Sequence, residues 1–329
     1  MKKIFWKIFW VLVLIGLWEI LAIRPSIEKI TYGVSFSKFH SDELKLDWKK
    51  TYLAILDDLK VKNLRLSAHW PMIEPTASKY NFEEIDFQME EAKKRDISVI
   101  LAIGRRLPGW PECHVPDWAQ KLSESEQRDK ILKLLEVLVN RYKNYPNLKY
   151  WQVENEPFLG FFGRSHCELP DEDFLKKEIE LVRANDKNHL VLVTDSGEFG
   201  FWNQSYQNGD IFGTSMYLYV WSAWFGPIRY PIGPSFFRVK QAVVELLKGK
   251  KPKILIELSG EPWLLSPIVE TSLEIQFQRM DMNKLNEVIN FASKSSFDTQ
   301  YLWGAEWWYW LSQEQNHPEF WQRAKELFK

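Results

Sequence analysis

The chain has 329 residues, 45% of them hydrophobic and 26% charged, with a formal net charge of −1 at pH 7. That is ample for one large α/β barrel or two smaller domains, and the balanced charge gives no footprint for nucleic acid or an anionic surface. Two cysteines, Cys113 and Cys167, are too few for a disulfide framework or a zinc site. Aromatic content is high, at 17 Trp, 12 Tyr and 21 Phe. Core filling uses part of it. The rest suits sugar binding, because the flat apolar face of a pyranose matches an aromatic ring.

The chain opens M-K-K-I-F-W-K and continues as an apolar run to Ile23. Basic residues before an apolar run of roughly 20 residues read as a signal anchor or a signal peptide. No small-x-small cleavage site precedes Arg24. An uncleaved transmembrane anchor over 1–25 is therefore expected, with Lys2, Lys3 and Lys7 cytoplasmic and 26–329 outside. Cleavage would instead release a secreted domain.

From Ile30 short apolar runs alternate with amphipathic stretches. Strands are expected at Ile30–Phe36, Asn63–Trp70, Ile97–Ile103, Lys149–Glu156, His189–Ser196, Ile211–Tyr217, Lys253–Leu258 and Thr299–Gly304. Helical spacing is read over Leu46–Lys60, Asn81–Arg95 (with Asn81 as N-cap), Glu124–Tyr142, Asp171–Asn185, Ser235–Leu247, Ser272–Ser293 and Pro318–Phe328. Eight strands joined by helices predict a parallel sheet, closed as a (β/α)8 TIM barrel over 26–329. An open doubly wound sheet is the alternative fold, but no G-x-G-x-x-G follows the first strand and no P-loop occurs.

In such a barrel function sits at the carboxyl ends of the strands. K-Y-W-Q-V-E-N-E-P-F places Asn155 and Glu156 at the end of strand four, where Pro157 forces a turn. A bland reading makes Glu154 and Glu156 exposed strand-end charges. K-I-L-I-E-L-S-G-E-P-W ends strand seven with Glu257, and Glu261 lies just beyond. Two carboxylates at one mouth are the minimum apparatus for glycoside hydrolysis, one protonated to donate to the leaving oxygen and one ionised.

W-Q-V-E-N-E-P-F followed by I-L-I-E-L resembles the clan A glycoside hydrolases, retaining (β/α)8 enzymes that include the family 5 cellulases. The resemblance implies Glu156 as acid/base, Glu257 as nucleophile, and Asn155 as the amide that binds the sugar 2-hydroxyl. It also implies Arg65 as support for the nucleophile, Tyr217 as its strand-six neighbour, and Trp303 as the floor of the −1 subsite. Family 5 enzymes usually carry a His at the end of strand three; here Arg105 and Arg106 stand there. His69 is a substitute for it or a packed residue. Glu261 competes with Glu257, and Glu306 in W-G-A-E-W-W-Y-W is a further candidate for a sugar hydroxyl.

Trp70, Trp110, Trp118, Trp221, Trp224, Trp263, Trp307 and Trp308 fall at or beyond strand ends, as cleft walls or as packing. Cys113 and Cys167 lie in the loops after strands three and four, so a bridge between them would pin one side of the cleft; two free thiols are the alternative. No cofactor is expected. The six histidines show no H-x-H or H-E-x-x-H pattern, which argues against a metal-dependent hydrolase. The partner expected is an oligo- or polysaccharide, with the membrane engaged only through 1–25. The competing function is a non-catalytic carbohydrate-binding barrel, which would need neither acid nor nucleophile.

Overall fold

The structure is a computed structural model that describes residues 6, 10, 29–160, 167–168, 171–222, 225–264 and 266–329. The expected anchor over 1–25 lies outside the described residues, apart from Trp6 and Trp10, which are helical and exposed. Among the described residues no helix is long and apolar enough to cross a membrane.

Eight parallel strands close into a barrel: β1 (Thr31–Phe36), β2 (Asn63–Ser67), β3 (Ser98–Ile103), β4 (Leu148–Val153), β5 (Leu190–Asp195), β6 (Ile211–Met216), β9 (Lys253–Ser259) and β10 (Thr299–Trp303). The ring closes where β1 pairs with β10, Val34 opposite Leu302. This removes the open-sheet alternative. A small antiparallel hairpin, β7 (Tyr219–Ser222) and β8 (Gly226–Arg229), projects from the loop after β6, so the seventh barrel strand is β9.

Strand alternation sorts the side chains. Leu64 and Leu66 of β2 face the helices, as do Trp151 and Val153 of β4. Arg65 and Gln152 therefore face inward. Ile100, Leu192, Ile254, Ile256 and Tyr301 fill the interior below them. Tyr301 passes so close to Gly33 that a Cβ there would lie 2.7 Å from its ring, so β1 needs a glycine at that point.

β9 breaks the alternation. Leu255 and Leu258 both pack outward, although they are three residues apart. The pairing with β6 shifts between Thr214–Leu255 and Ser215–Glu257, and the pairing with β10 shifts in the same place. This bulge adds one residue and turns Glu257 to the same side as Ser215.

The helices largely follow the expected pattern, with capping side chains where helices begin. Ser123 forms a capping box with Glu126 ahead of the helix Glu124–Tyr142, and Asp171 caps Glu172–Asn185. Four expectations are corrected. β2 ends at Ser67, and Trp70 with Pro71 starts a one-turn helix, Trp70–Ile73. Asn81 sits one residue outside the cap of Glu83–Lys93, with its oxygen accepting from the Glu83 N–H at 3.0 Å. The stretch Ser272–Ser293 is two helices, because Asp281 caps a second start at Met282. The aromatic run after β10 is a buried helix, Ala305–Glu314.

Candidate active site

After Val153 the backbone leaves β4 through a strained turn. Glu154 and Glu156 both sit in left-handed conformations, with φ of 58° and 45°, which non-glycine residues seldom adopt. Four contacts hold the turn. The Glu154 carboxylate accepts from the backbone N–H groups of Arg105 (2.8 Å) and Arg106 (2.6 Å), Asn155 N–H donates to the Arg106 carbonyl (2.7 Å), and Glu156 N–H donates to Thr194 Oγ1 (2.9 Å). Gly104 makes room for it, since a Cβ there would lie 2.5 Å from Glu154 Oε1. Glu154 and Glu156 are 0% and 6% exposed, so neither is a solvated strand-end charge. Glu154 supports the turn, and only Glu156 is left to act in the mouth.

Arg65 is the hub of the site. It is buried, and its three donor positions go to three partners: Nε to Gln152 Oε1 (2.8 Å), Nη1 to Glu257 Oε2 (2.5 Å) and Nη2 to Asn155 Oδ1 (2.7 Å). Tyr217 O–H donates to the other Glu257 oxygen at 2.5 Å. Glu257 is thus gripped by a guanidinium and a phenol. The Asn155 oxygen also takes Thr194 Oγ1 and Gln152 Nε2, each at 3.3 Å. Its Nδ2 is buried and has no hydrogen-bond partner among the described residues, so that amide is oriented with a free donor.

Glu156 has the opposite setting. Burial, then the charges of Glu112 and Glu257, push its carboxyl well above the usual range, against a hydrogen bond from Ser215 that pulls it down. Ser215 stands in register with Glu257 and accepts from the Gly197 N–H at 3.2 Å, so it links the two strand ends. Glu112 is a carboxylate that the sequence reading missed. It lies in the loop after β3, 3.3 Å from Arg106 Nη2. Burial raises its carboxyl to about 7, helped by Glu257 and opposed by Arg106. Its neighbour Cys113 is bonded to Cys167 with Cα atoms 6.1 Å apart, which ties the β3 loop to the β4 loop.

The other expected residues divide. Trp303, 8% exposed, donates its indole N–H to Glu261 Oε1 at 2.6 Å. Trp263 meets the Tyr217 ring edge-on, centroids 5.2 Å apart. These two belong to the mouth. Trp70 does not. It is fully buried, bonds Glu74 at 2.9 Å and packs on Trp118. Trp307 and Trp308 are likewise core, and Trp224 lies outside the described residues. His69 is packed against His114, centroids 4.3 Å apart, and bonds the Pro108 carbonyl at 3.0 Å. Burial lowers its pKa to about 4, so it is a neutral imidazole. Glu306 is buried and accepts the Ser37 N–H at 2.6 Å, which makes it a fastener between the end of β1 and the helix Ala305–Glu314 rather than an open ligand for sugar. Arg105 is spent on a two-pronged pair with Glu124, both contacts 2.8 Å, and replaces no catalytic histidine.

Gln152, Thr194, Ser215 and Glu112 were not singled out from sequence. Strand alternation alone points Gln152 and Ser215 inward, and that signal was available. Glu112 carried none, because a long loop has no periodicity.

Known proteins resemble the chain in sequence and in fold. The chain is 29% identical over 158 residues to the β-galactosidase Pbg of Clostridium perfringens, which covers 43% of this chain and 22% of that protein. It is 25% identical over 191 residues to the β-galactosidase BgaA of Clostridium cellulovorans, covering 52% and 28%. The chain therefore spans about a quarter of the length of these curated relatives. Among solved structures, a GH5_18 protein of Bifidobacterium longum superposes with a TM-score of 0.60 at 13% identity, over 84% of this chain and 70% of that one. The family model described as Cellulase (glycosyl hydrolase family 5) matches residues 31–217, more than half of the sequence, and the chain belongs to that family.

Proposed function

We propose that the chain is a retaining β-glycosidase in which Glu156 is the acid/base and Glu257 the nucleophile. One observation carries the reading: two buried glutamates at the ends of β4 and β9 sit in contrasting settings, Glu156 among other carboxylates and Glu257 bonded to Arg65 and Tyr217. Glu156, kept protonated by burial and by neighbouring carboxylates, donates its proton to the glycosidic oxygen as that bond breaks. Glu257, oriented by its bonds to Arg65 and Tyr217, attacks the anomeric carbon as a carboxylate and forms a glycosyl ester. Glu156, now a carboxylate, takes a proton from water, and the resulting hydroxide cleaves the ester with net retention. The free Nδ2 of Asn155 suits the sugar 2-hydroxyl beside that ester. Trp303 and Trp263 offer faces for the ring. Glu257 is preferred over Glu261 because Glu257 meets Arg65 and Tyr217, whereas the carboxylate oxygens of Glu261 meet Trp303 and His40.

The names of the curated relatives make β-galactosides the first substrates to test. The assay sets aryl β-galactosides, β-glucosides, β-mannosides and β-xylosides, with the matching polysaccharides, against wild type, Glu156→Gln and Glu257→Gln. Turnover of one sugar class with retained anomeric configuration, abolished in Glu257→Gln, is the expected result. Inversion of configuration, or a Glu257→Gln variant at full rate, overturns the assignment. Binding of a glycan without turnover leaves a carbohydrate-binding barrel instead.

We propose further that the apolar run up to Ile23 tethers the barrel outside the cytoplasmic membrane, as its basic flank suggests. Recovery of the full-length protein in a carbonate-washed membrane pellet is expected; recovery in the soluble fraction overturns the tether.

A further inference from the structure

The double displacement makes no use of Glu261, yet the structure builds around that residue with care. Its Oε1 accepts the Trp303 indole N–H at 2.6 Å, and its Oε2 lies 2.8 Å from His40 Nε2. The other ring nitrogen of His40 lies 3.0 Å from Glu43 Oε2. A carboxylate oxygen can only accept, so both contacts are hydrogen bonds when both ring nitrogens carry protons. His40 is then a buried imidazolium between two carboxylates. Its ring also stacks on Trp303, with centroids 5.8 Å apart and planes 28° from parallel.

The backbone beneath is equally determined. Gly304 has φ 114°, and a Cβ there would lie 2.9 Å from the Glu261 Cβ. A Cβ on Gly260 would lie 2.7 Å from the Trp303 carbonyl, which already accepts the Gly260 N–H at 2.8 Å. Trp308 donates to the Gly260 carbonyl at 2.8 Å. The Glu306 bond to Ser37 N–H fastens the segment that carries His40 to the helix after β10. Two glycines thus let the β9 loop lie flat against the end of β10, where Glu261 meets the indole.

We propose that His40 and Glu261 are positioning residues that clamp the Trp303 indole and thereby set the affinity of the sugar-binding floor. The inference rests on the proposed function in taking Trp303 as the surface on which the pyranose stacks. An indole has two torsions. With its N–H bonded to a fixed carboxylate and one face covered by His40, its plane is set before sugar arrives. Such a contact favours ground state and transition state alike, so its loss appears in KM more than in kcat.

The test is a cycle on the full chain: Trp303→Phe, Glu261→Gln, His40→Ala and the double variant Trp303→Phe/Glu261→Gln. Kinetics use the aryl glycoside that the wild type turns over. The Trp303 indole N–H resonance is assigned by its loss in Trp303→Phe. Glu261→Gln and His40→Ala are each expected to move that resonance and to raise KM about tenfold, with kcat within about threefold of wild type. Trp303→Phe is expected to raise KM at least as much, and adding Glu261→Gln to it to cost nothing further. A merely structural Glu261 would lower thermal stability in both backgrounds without this loss of additivity. The proposal falls if the indole resonance stays put in Glu261→Gln, or if the KM penalty persists in the Trp303→Phe background. If the resonance moves but Trp303→Phe leaves KM unchanged, the clamp is real and the sugar floor is not Trp303, which overturns the role. If no glycoside turns over, the hydrolase reading fails while the resonance still reads the clamp.

Discussion

The ends of β4 and β9 both deliver a glutamate to the mouth, and they are built in opposite ways. β4 ends in a left-handed turn held by backbone donors, and its Glu156 faces other carboxylates. β9 carries a bulge, and its Glu257 faces a guanidinium and a phenol. The same side chain thus meets like charge in one place and a cation with a phenol donor in the other. On the proposed roles, environment rather than residue type separates the acid from the nucleophile.

The sharpest way to break the comparison is to change the leaving group. Glu257→Gln should lower kcat/KM by about 10⁴-fold or more on every aryl glycoside, because no leaving group replaces a nucleophile. Glu156→Gln should cost about 10²–10⁴-fold on an alkyl glycoside and far less on a dinitrophenyl glycoside, whose departure needs no acid. Equal losses on both substrates would mean that the two ends do not differ in role. Steady-state kinetics on the two substrates decides.

Removing the grip on Glu257 comes next. Tyr217→Phe deletes one charged hydrogen bond and is expected to lower kcat by about 10–10²-fold with the fold intact. Arg65→Met strips Glu257, Asn155 and Gln152 of a shared donor, so a loss of stability of about 3–5 kcal/mol should accompany its loss of activity. Denaturant unfolding of the two variants separates the effects.

A smaller effect sharpens the β4 side. The Glu112 charge helps hold the Glu156 proton, and Glu112 itself ionises only at about 7. Glu112→Gln removes that repulsion, so the folded pKa of Glu156 falls and the alkaline limb of kcat/KM moves to lower pH. A limb that stays in place would show that burial and Glu257 set the acid without Glu112.

The smallest effect lies behind the site. Glu178 is fully buried, and burial, then the Glu154 charge, raises its carboxyl well above the usual range. A raised folded pKa means that the native state binds the proton more tightly than the unfolded chain. Its contribution to stability is present below the ordinary carboxyl pKa and is lost as pH rises through the folded value. Glu178→Gln should therefore raise Tm by a few degrees in alkaline buffer and change it little near pH 4. A uniform change across pH would point to packing instead.

Much of this was legible before any coordinates. The alternation of short apolar runs with amphipathic stretches is periodic, so the eight barrel strands could be read, with the ends of β2 and β4 overextended. The E-N-E-P and I-E-L stretches marked both strand ends, because a carboxylate at the carboxyl end of a barrel strand is a local pattern. Trp70 misled for the opposite reason. A tryptophan near a strand end reads the same whether it lines a cleft or fills a core, and only the one-turn helix after Ser67 turns it inward. The helix Ala305–Glu314 was hidden by its own aromatic content, since residues buried nearly all round show no stripe.

Glu257 marks the division between the two kinds of information. By strict alternation it shares a face with Leu255 and would point at the helices. The bulge that turns it inward is decided by its pairing with two neighbouring strands, which no single stretch encodes. The same holds for Glu112, on a loop tied by a disulfide, and for His40, on the short helix Lys38–Glu43, which meets Glu261 from far along the chain. The periodicities, the caps and the chemical inventory can be read along the chain, because these depend on neighbouring residues. Which carboxylate meets a cation, which meets another carboxylate and which clamps an indole was decided by barrel closure alone, because each depends on residues that meet only across the barrel.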